Sequence, residues 1–186
     1  MQFEINNVVK VLKKGGLIIY PTDTVWSIGC DATNGDAVNK IYKLLQIENC
    51  SALTCLIADD RMLKKYITQV PTVALNIIEV TDKPTTIIYD EAKNLAQNLI
   101  AKDGTIAIRI PDDEFCYQIS RKLNGAIISV SANIRGYVIP KSFKEISQEV
   151  LKGVDYVVNL HHEKILDKPS LIIKLSNNGI VKVIRG

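Results

Sequence analysis

The sequence predicts an α/β sandwich built around a largely buried, mixed β-sheet with flanking helices. Three observations carry this. Short runs rich in isoleucine and valine ("LIIY", "TTIIY", "TIAIRI", "AIISVSA") alternate with segments of helical periodicity. The last two apolar runs are joined by Ser-Asn-Asn-Gly, a tight-turn composition that makes an antiparallel hairpin, so the sheet is not purely parallel. No internal repeat or low-complexity linker divides the 186 residues, and a single domain over 1–186 is expected.

Each element has a local reason. Ile5, Val8, Val9 and Leu12 recur at helical spacing, and Gly15-Gly16 stops that first helix before the strand "LIIY", which Pro21 ends. A second helix from about Asp36 carries Ala37, Val38, Ile41 and Leu45 on one face. "LTCLIA" reads as a strand, and "DRMLKKYI" and "PTVALNIIEV" as helices. Helices are also expected over 91–101 and 113–123, between the β-branched strands, and over about 142–151. "DYVVN", "SLIIKL" and "IVKVIR" close the chain as strands.

Composition bounds the function more than it names it. With 47% apolar and 23% charged residues the chain can bury a full core. A net charge of +3 permits an anionic ligand or an RNA surface without arguing for either. The four cysteines (Cys30, Cys50, Cys55, Cys116) form no C-x-x-C pair, so buried free thiols in a reducing compartment are expected. "HHE" at 161–163 lies in a polar stretch and reads as a solvated loop rather than a metal site. No apolar run approaches the ~20 residues of a membrane span, and no cleavage pattern marks the N-terminus; a soluble, cytoplasmic protein is expected.

Polar clusters fall where strands end. "PTDT" (Pro21, Thr22, Asp23, Thr24) offers two hydroxyls and a carboxylate, which could hold an amino-acid or phosphate ligand or simply cap a turn. Thr105 and Arg109 share a face of "TIAIRIP"; Arg109 needs an anionic partner if it is buried, or else reaches water. Ser129, Ser131 and Asn133 alternate along "SVSAN", and Ser170 and Arg185 sit in "KPSLII" and the terminal "IRG". The chain has no Walker-type loop, no strand-linked G-x-G-x-x-G and too few histidines for a Ser-His-Asp set.

Taken in order, "GGLIIYPTDTVWSIGCDA", "IAIRIPDDE", "SAN" followed by Gly136, "PSLIIKL" and "VIRG" resemble the short, single-domain form of the YrdC/TsaC-type threonylcarbamoyl-AMP synthases. The resemblance implies a twisted mixed sheet around a basic cleft. It also implies a reaction in which L-threonine, bicarbonate and ATP, with Mg²⁺ escorting the nucleotide, give threonylcarbamoyl-AMP and pyrophosphate. The product would feed the threonylcarbamoyladenosine modification of tRNA through downstream proteins, and double-stranded RNA binding is described for the family. Carried over by position, Thr24, Arg109 and Ser170 would hold threonine, Arg109 by pairing with its carboxylate. Thr105, Ser129, Ser131, Asn133, Arg185 and Ser51 would fall on the nucleotide side; no metal ligand and no catalytic group is implied.

The same resemblance exposes departures. The family's Lys-x-Arg, which would clamp the ATP phosphates, falls on Leu45 and Ile47, and no Lys or Arg occurs from Leu44 to Asp60. Trp26-Ser27 replaces an aromatic-Gly pair, "TDKPT" represents a Pro-Gly-Pro-x-Thr region, and Arg135 stands where a serine is usual. Arg135 or Lys83 could supply the missing charge. The alternative reading is a non-catalytic YrdC-like paralogue that binds nucleotide, threonine or double-stranded RNA. Under that reading Leu45→Lys with Ile47→Arg would restore some turnover.

Overall fold

The computed structural model describes residues 1–48, 50 and 53–186. The sheet is mixed and nine strands wide among these residues, in the order β7-β1-β2-β6-β3-β5-β4-β8-β9. Its strands are β1 (Ile18–Tyr20), β2 (Ser27–Gly29), β3 (Thr54–Leu56), β4 (Thr85–Tyr89), β5 (Ile106–Arg109), β6 (Ile127–Ser131), β7 (Tyr156–Val157), β8 (Leu171–Leu175) and β9 (Val181–Arg185). The pairs β1–β7, β3–β5 and β4–β8 are parallel and the rest antiparallel, including the β8–β9 hairpin.

The helices are α1 (Gln2–Lys13), α2 (Gly35–Leu45), α3 (Leu63–Tyr66), α4 (Thr72–Val80), α5 (Glu114–Leu123) and α6 (Gln148–Lys152). Side-chain caps start three of them: Asn34 accepts from Ala37 N–H, Asp113 from Cys116 N–H and Ser147 from Val150 N–H. α1 and α5 cover one face of the sheet, where Ile5, Val8, Leu12, Phe115, Cys116 and Ile119 pack on Ile18, Tyr20, Leu56 and Ile127. The larger core lies against the other face, with Ala37, Val38, Ile41 and Leu45 of α2 packed on Ile19, Ile28, Cys55, Ile87, Ile108, Ile128 and Ile173.

Two local expectations are corrected, and one strand, β2, is not legible in the sequence. Residues 91–101 are turns and bends, not a helix. Glu91 and Asn94 have φ of 55°, outside the right-handed helical region, and the segment's N–H groups are spent on other elements: Ala92 on Gly104 O, Lys93 on Tyr66 O, Ala96 on Ala32 O. The helix expected over 142–151 is split into a 3₁₀ turn, Phe143–Glu145, and the five-residue α6, because Ile146 and Ser147 are extended and Ser147 caps anew. Strand β2 is too short, at three residues, to show a period in sequence.

Gly29 in β2 is a packing requirement. A Cβ there would lie 2.5 Å from Ile128 O and 2.8 Å from the Tyr20 ring. Both neighbours are fixed, since Tyr20 Oη donates to that same carbonyl at 2.8 Å. Gly29→Ala is therefore expected to destabilise the fold by about 1–3 kcal/mol, read as a lowered urea midpoint; an unchanged midpoint would show that the strand yields.

Candidate functional site

Strand register gathers the polar clusters. Thr86 pairs with Arg109, Thr54 with Ser129 and Ser27 with Ser131. Because side chains alternate, these residues all project from the face of the sheet that α1 and α5 cover only in part. The result is a pocket of about 150 Å³ lined by the hydroxyls of Thr24, Thr54, Thr86, Ser129, Ser131 and Ser170, with the two guanidinium groups of Arg109 and Arg185.

Arg109 is almost fully buried, and its partner is Asp23, whose Oδ1 accepts from Arg109 Nη1. The partner comes from the β1–β2 loop. Thr22 Oγ1 organises that loop, accepting from Thr24 N–H and Val25 N–H, both at 3.1 Å, and donating to Val25 O at 2.8 Å. Thr22 thus serves the turn. Thr24 faces the pocket and accepts from Arg109 Nη2 at 3.2 Å. Across the pocket Ser170 Oγ lies 2.8 Å from Thr86 Oγ1, and Arg185 Nη2 donates to Ser170 O at 2.7 Å.

A second, larger cleft of about 620 Å³ opens at the ends of β1, β4 and β5. Its wall includes Thr22, Asp23, Lys83, Thr85, Asp112, His161 and Lys164. Asp23, Asp82, Asp112 and Asp113 outnumber Lys83 and Lys164, so this lining is not the basic one the resemblance implied. The Asp23–Arg109 pair stands between the two spaces, Asp23 on the cleft and Arg109 on the pocket.

Of the residues singled out in sequence, Thr24, Arg109, Ser170, Ser129, Ser131 and Arg185 meet in the small pocket. Thr105 does not: it precedes β5 at the far end from Arg109 and donates to Asp103 Oδ1 at 2.7 Å. Asn133 lines a different hollow and donates to Ile134 O and Tyr137 O. Ser51 lies outside the described residues. Thr54 and Thr86 were missed; the alternation in "TTIIY" separates Thr86 from Thr85, but only the pairing with Arg109 says which of the two faces the pocket.

The aliphatic replacements have become core. Leu45 is fully buried and Ile47 is packed against the same cluster. Arg135 is engaged elsewhere, in a 2.8 Å ion pair with Glu48, whereas Lys83 lines the large cleft. The "HHE" stretch is more ordered than a solvated loop: His162 stacks on Phe143 at 3.8 Å between centroids, beside the buried Trp26.

No thiol takes part in the pocket. Burial pushes Cys55 up to about 12 and raises Cys30 and Cys116 strongly as well, so all three are protonated at neutral pH. Only Cys50 is partly exposed. A thiol reagent at pH 8 is expected to modify one cysteine rapidly in the native protein and all four in guanidinium; rapid native modification of three or four would contradict the packing.

The Sua5/YciO/YrdC family model, described as "Telomere recombination", matches residues 10–186. The chain belongs to this family. A protein of Methanocaldococcus jannaschii provisionally named threonylcarbamoyl-AMP synthase is 35% identical, over 98% of this chain and 87% of its own length. The YciO crystal structure from Escherichia coli superposes with a TM-score of 0.85 at 26% identity, covering all of this chain and 89% of YciO. The fold is also that of P. abyssi Sua5, solved in complex with L-threonine, with a TM-score of 0.83 at 20% identity. This chain spans 94% of its own length in that superposition but only about half (52%) of Sua5. A twisted mixed sheet with flanking helices is thus common to the family structures and this chain. Among the described residues no helix is long and apolar enough to cross a membrane.

Proposed function

We propose that this protein condenses L-threonine, bicarbonate and ATP into L-threonylcarbamoyl-AMP and pyrophosphate, supplying tRNA threonylcarbamoyladenosine modification in the cytoplasm. The observation that carries the reading is the pairing of two spaces. A pocket of about 150 Å³, rich in hydroxyls and arginine, suits a small hydroxylated amino acid, and the adjoining cleft of about 620 Å³ has room for a nucleotide. Thr24, Arg109 and Ser170 hold the amino acid, with Thr54 and Thr86 completing the wall. Ser129, Ser131 and Arg185 share the small pocket with these residues and line no part of the large cleft, and Mg²⁺ enters with ATP as part of the substrate. The chemistry asks little covalent help of the protein, mainly two anions held in reach of one another. Incubation with ATP, Mg²⁺, bicarbonate and L-threonine is expected to release pyrophosphate only when threonine is present. Release at the no-enzyme level by folded protein would overturn the synthase reading.

One observation favours a second reading, a non-catalytic relative that binds threonine, nucleotide or double-stranded RNA. Leu45 and Ile47 carry no charge to the phosphate side, and the large cleft has more carboxylates than lysines. Losing one donor to developing charge typically costs on the order of 10²–10³ in rate. That reading expects threonine or nucleotide binding by calorimetry with no pyrophosphate. A gel shift with duplex RNA that weakens with salt would assign the surface to RNA.

A further inference from the structure

We propose that Asp23 is the residue that receives the α-ammonium group of the amino-acid substrate, and that it orients this group from the small pocket toward the large cleft. The proposal rests on the threonine-binding reading above and goes beyond it by assigning the substrate's positive end. Arg109 and Asp23 form an opposite-charge pair with side chains only 3% and 9% exposed. A zwitterion presents the matching pair, a carboxylate for the guanidinium and an ammonium for the carboxylate.

Both partners have capacity to spare. Asp23 Oδ1 accepts from Arg109, and Oδ2 accepts from Asp112 N–H at 3.2 Å. An ionised carboxylate offers roughly four lone-pair positions, so about two remain for an ammonium. Arg109 uses Nη1 for Asp23 and Nη2 for Thr24, out of the five donors of a guanidinium. Ligand contacts here would replace little water, which makes charge-assisted hydrogen bonds strong and a mismatch expensive.

Position supplies the orientation. Arg109 lines the small pocket and Asp23 the large cleft. An amino acid anchored by its carboxylate and hydroxyl among Arg109, Thr24, Thr86 and Ser170 would therefore carry its nitrogen at the boundary, facing the space sized for the nucleotide. The arrangement also discriminates. An anion lacking the ammonium would bring its carboxylate beside Asp23 with nothing to offset the repulsion.

Isothermal titration calorimetry on the wild-type protein tests this without any substitution. L-Threonine is compared with dihydroxybutanoate of the same configuration, in which a hydroxyl replaces the ammonium. We expect the analogue to bind roughly 30-fold or more weakly, the scale of a lost hydrogen bond to a charged group. Asp23→Asn is expected to collapse that preference to within about threefold, and Asp23→Glu to retain part of it. A loss of preference in which the analogue's own affinity is kept or raised, since Asp23→Asn also removes the like charge, is not something a merely structural role would produce. Equal binding of the two ligands by the wild type, or full preference in Asp23→Asn, overturns the role of Asp23 while leaving the threonine reading intact. Failure of the folded wild type to bind threonine at all overturns both.

Discussion

Replacing Arg109 by methionine is expected to lower the unfolding free energy by about 3–5 kcal/mol, far more than the loss of one methylene contact, because it strands Asp23 as an unpaired, nearly buried carboxylate. The side chain it removes is 3% exposed and its partner 9%, so Asp23, left with Asp112 N–H at the wall of the cleft, has little water to replace the guanidinium. The diagnostic is the double variant. Arg109→Met with Asp23→Asn removes both charges, and it is expected to recover much of the stability lost in the single variant, since an ion pair exchanged for neutral groups of similar volume is often near neutral. Threonine binding is expected to be lost in both. Urea unfolding reads the first effect and calorimetry the second. A single-variant loss below about 1 kcal/mol would mean that the pair behaves as an exposed surface bridge.

Restoring the family's cations by Leu45→Lys with Ile47→Arg is expected to destabilise the protein rather than to rescue it. Leu45 ends α2 with no exposed surface, inside the cluster that contains Ile41, Trp26 and Val130. A lysine there forfeits the leucine's packing and places an ammonium without a partner in the core, a cost of about 3–5 kcal/mol. Ile47 is only partly buried, and arginine at that position has a route to water. The loss should therefore follow Leu45→Lys alone, seen as a fall in the urea midpoint. Unchanged stability together with gained pyrophosphate release would show that the α2 terminus can turn outward, and would return this segment to the phosphate site.

The alternation of "LIIY", "TTIIY", "TIAIRI" and "AIISVSA" with helical segments was enough to specify an α/β sheet protein, and "SNNG" was enough for the terminal hairpin, because both signals are local. The segment 91–101 was misread for the opposite reason. Its spacing of Leu95, Ala96 and Leu99 fits a helix, but its backbone donors are claimed by Gly104, Tyr66 and Ala32 from elsewhere in the fold.

The site divides in the same way. That Thr24, Arg109 and Ser170 belong together was legible from motif order, but nothing in sequence said that Asp23 would reach Arg109, 86 residues away. Nor did it say that Arg185 would join the small pocket or that Thr105 would stay out of it. The sequence by itself determined the alternation of elements and the loss of charge at positions 45 and 47; it leads to an expectation of four buried thiols, and the structure buries three and leaves Cys50 partly exposed. Helical spacing already put Leu45 on the apolar face, and only the tertiary structure decided that Asp23 stands between pocket and cleft. Periodicity fixes which side of a strand or helix a residue takes, while strand order and register fix which residues meet across it.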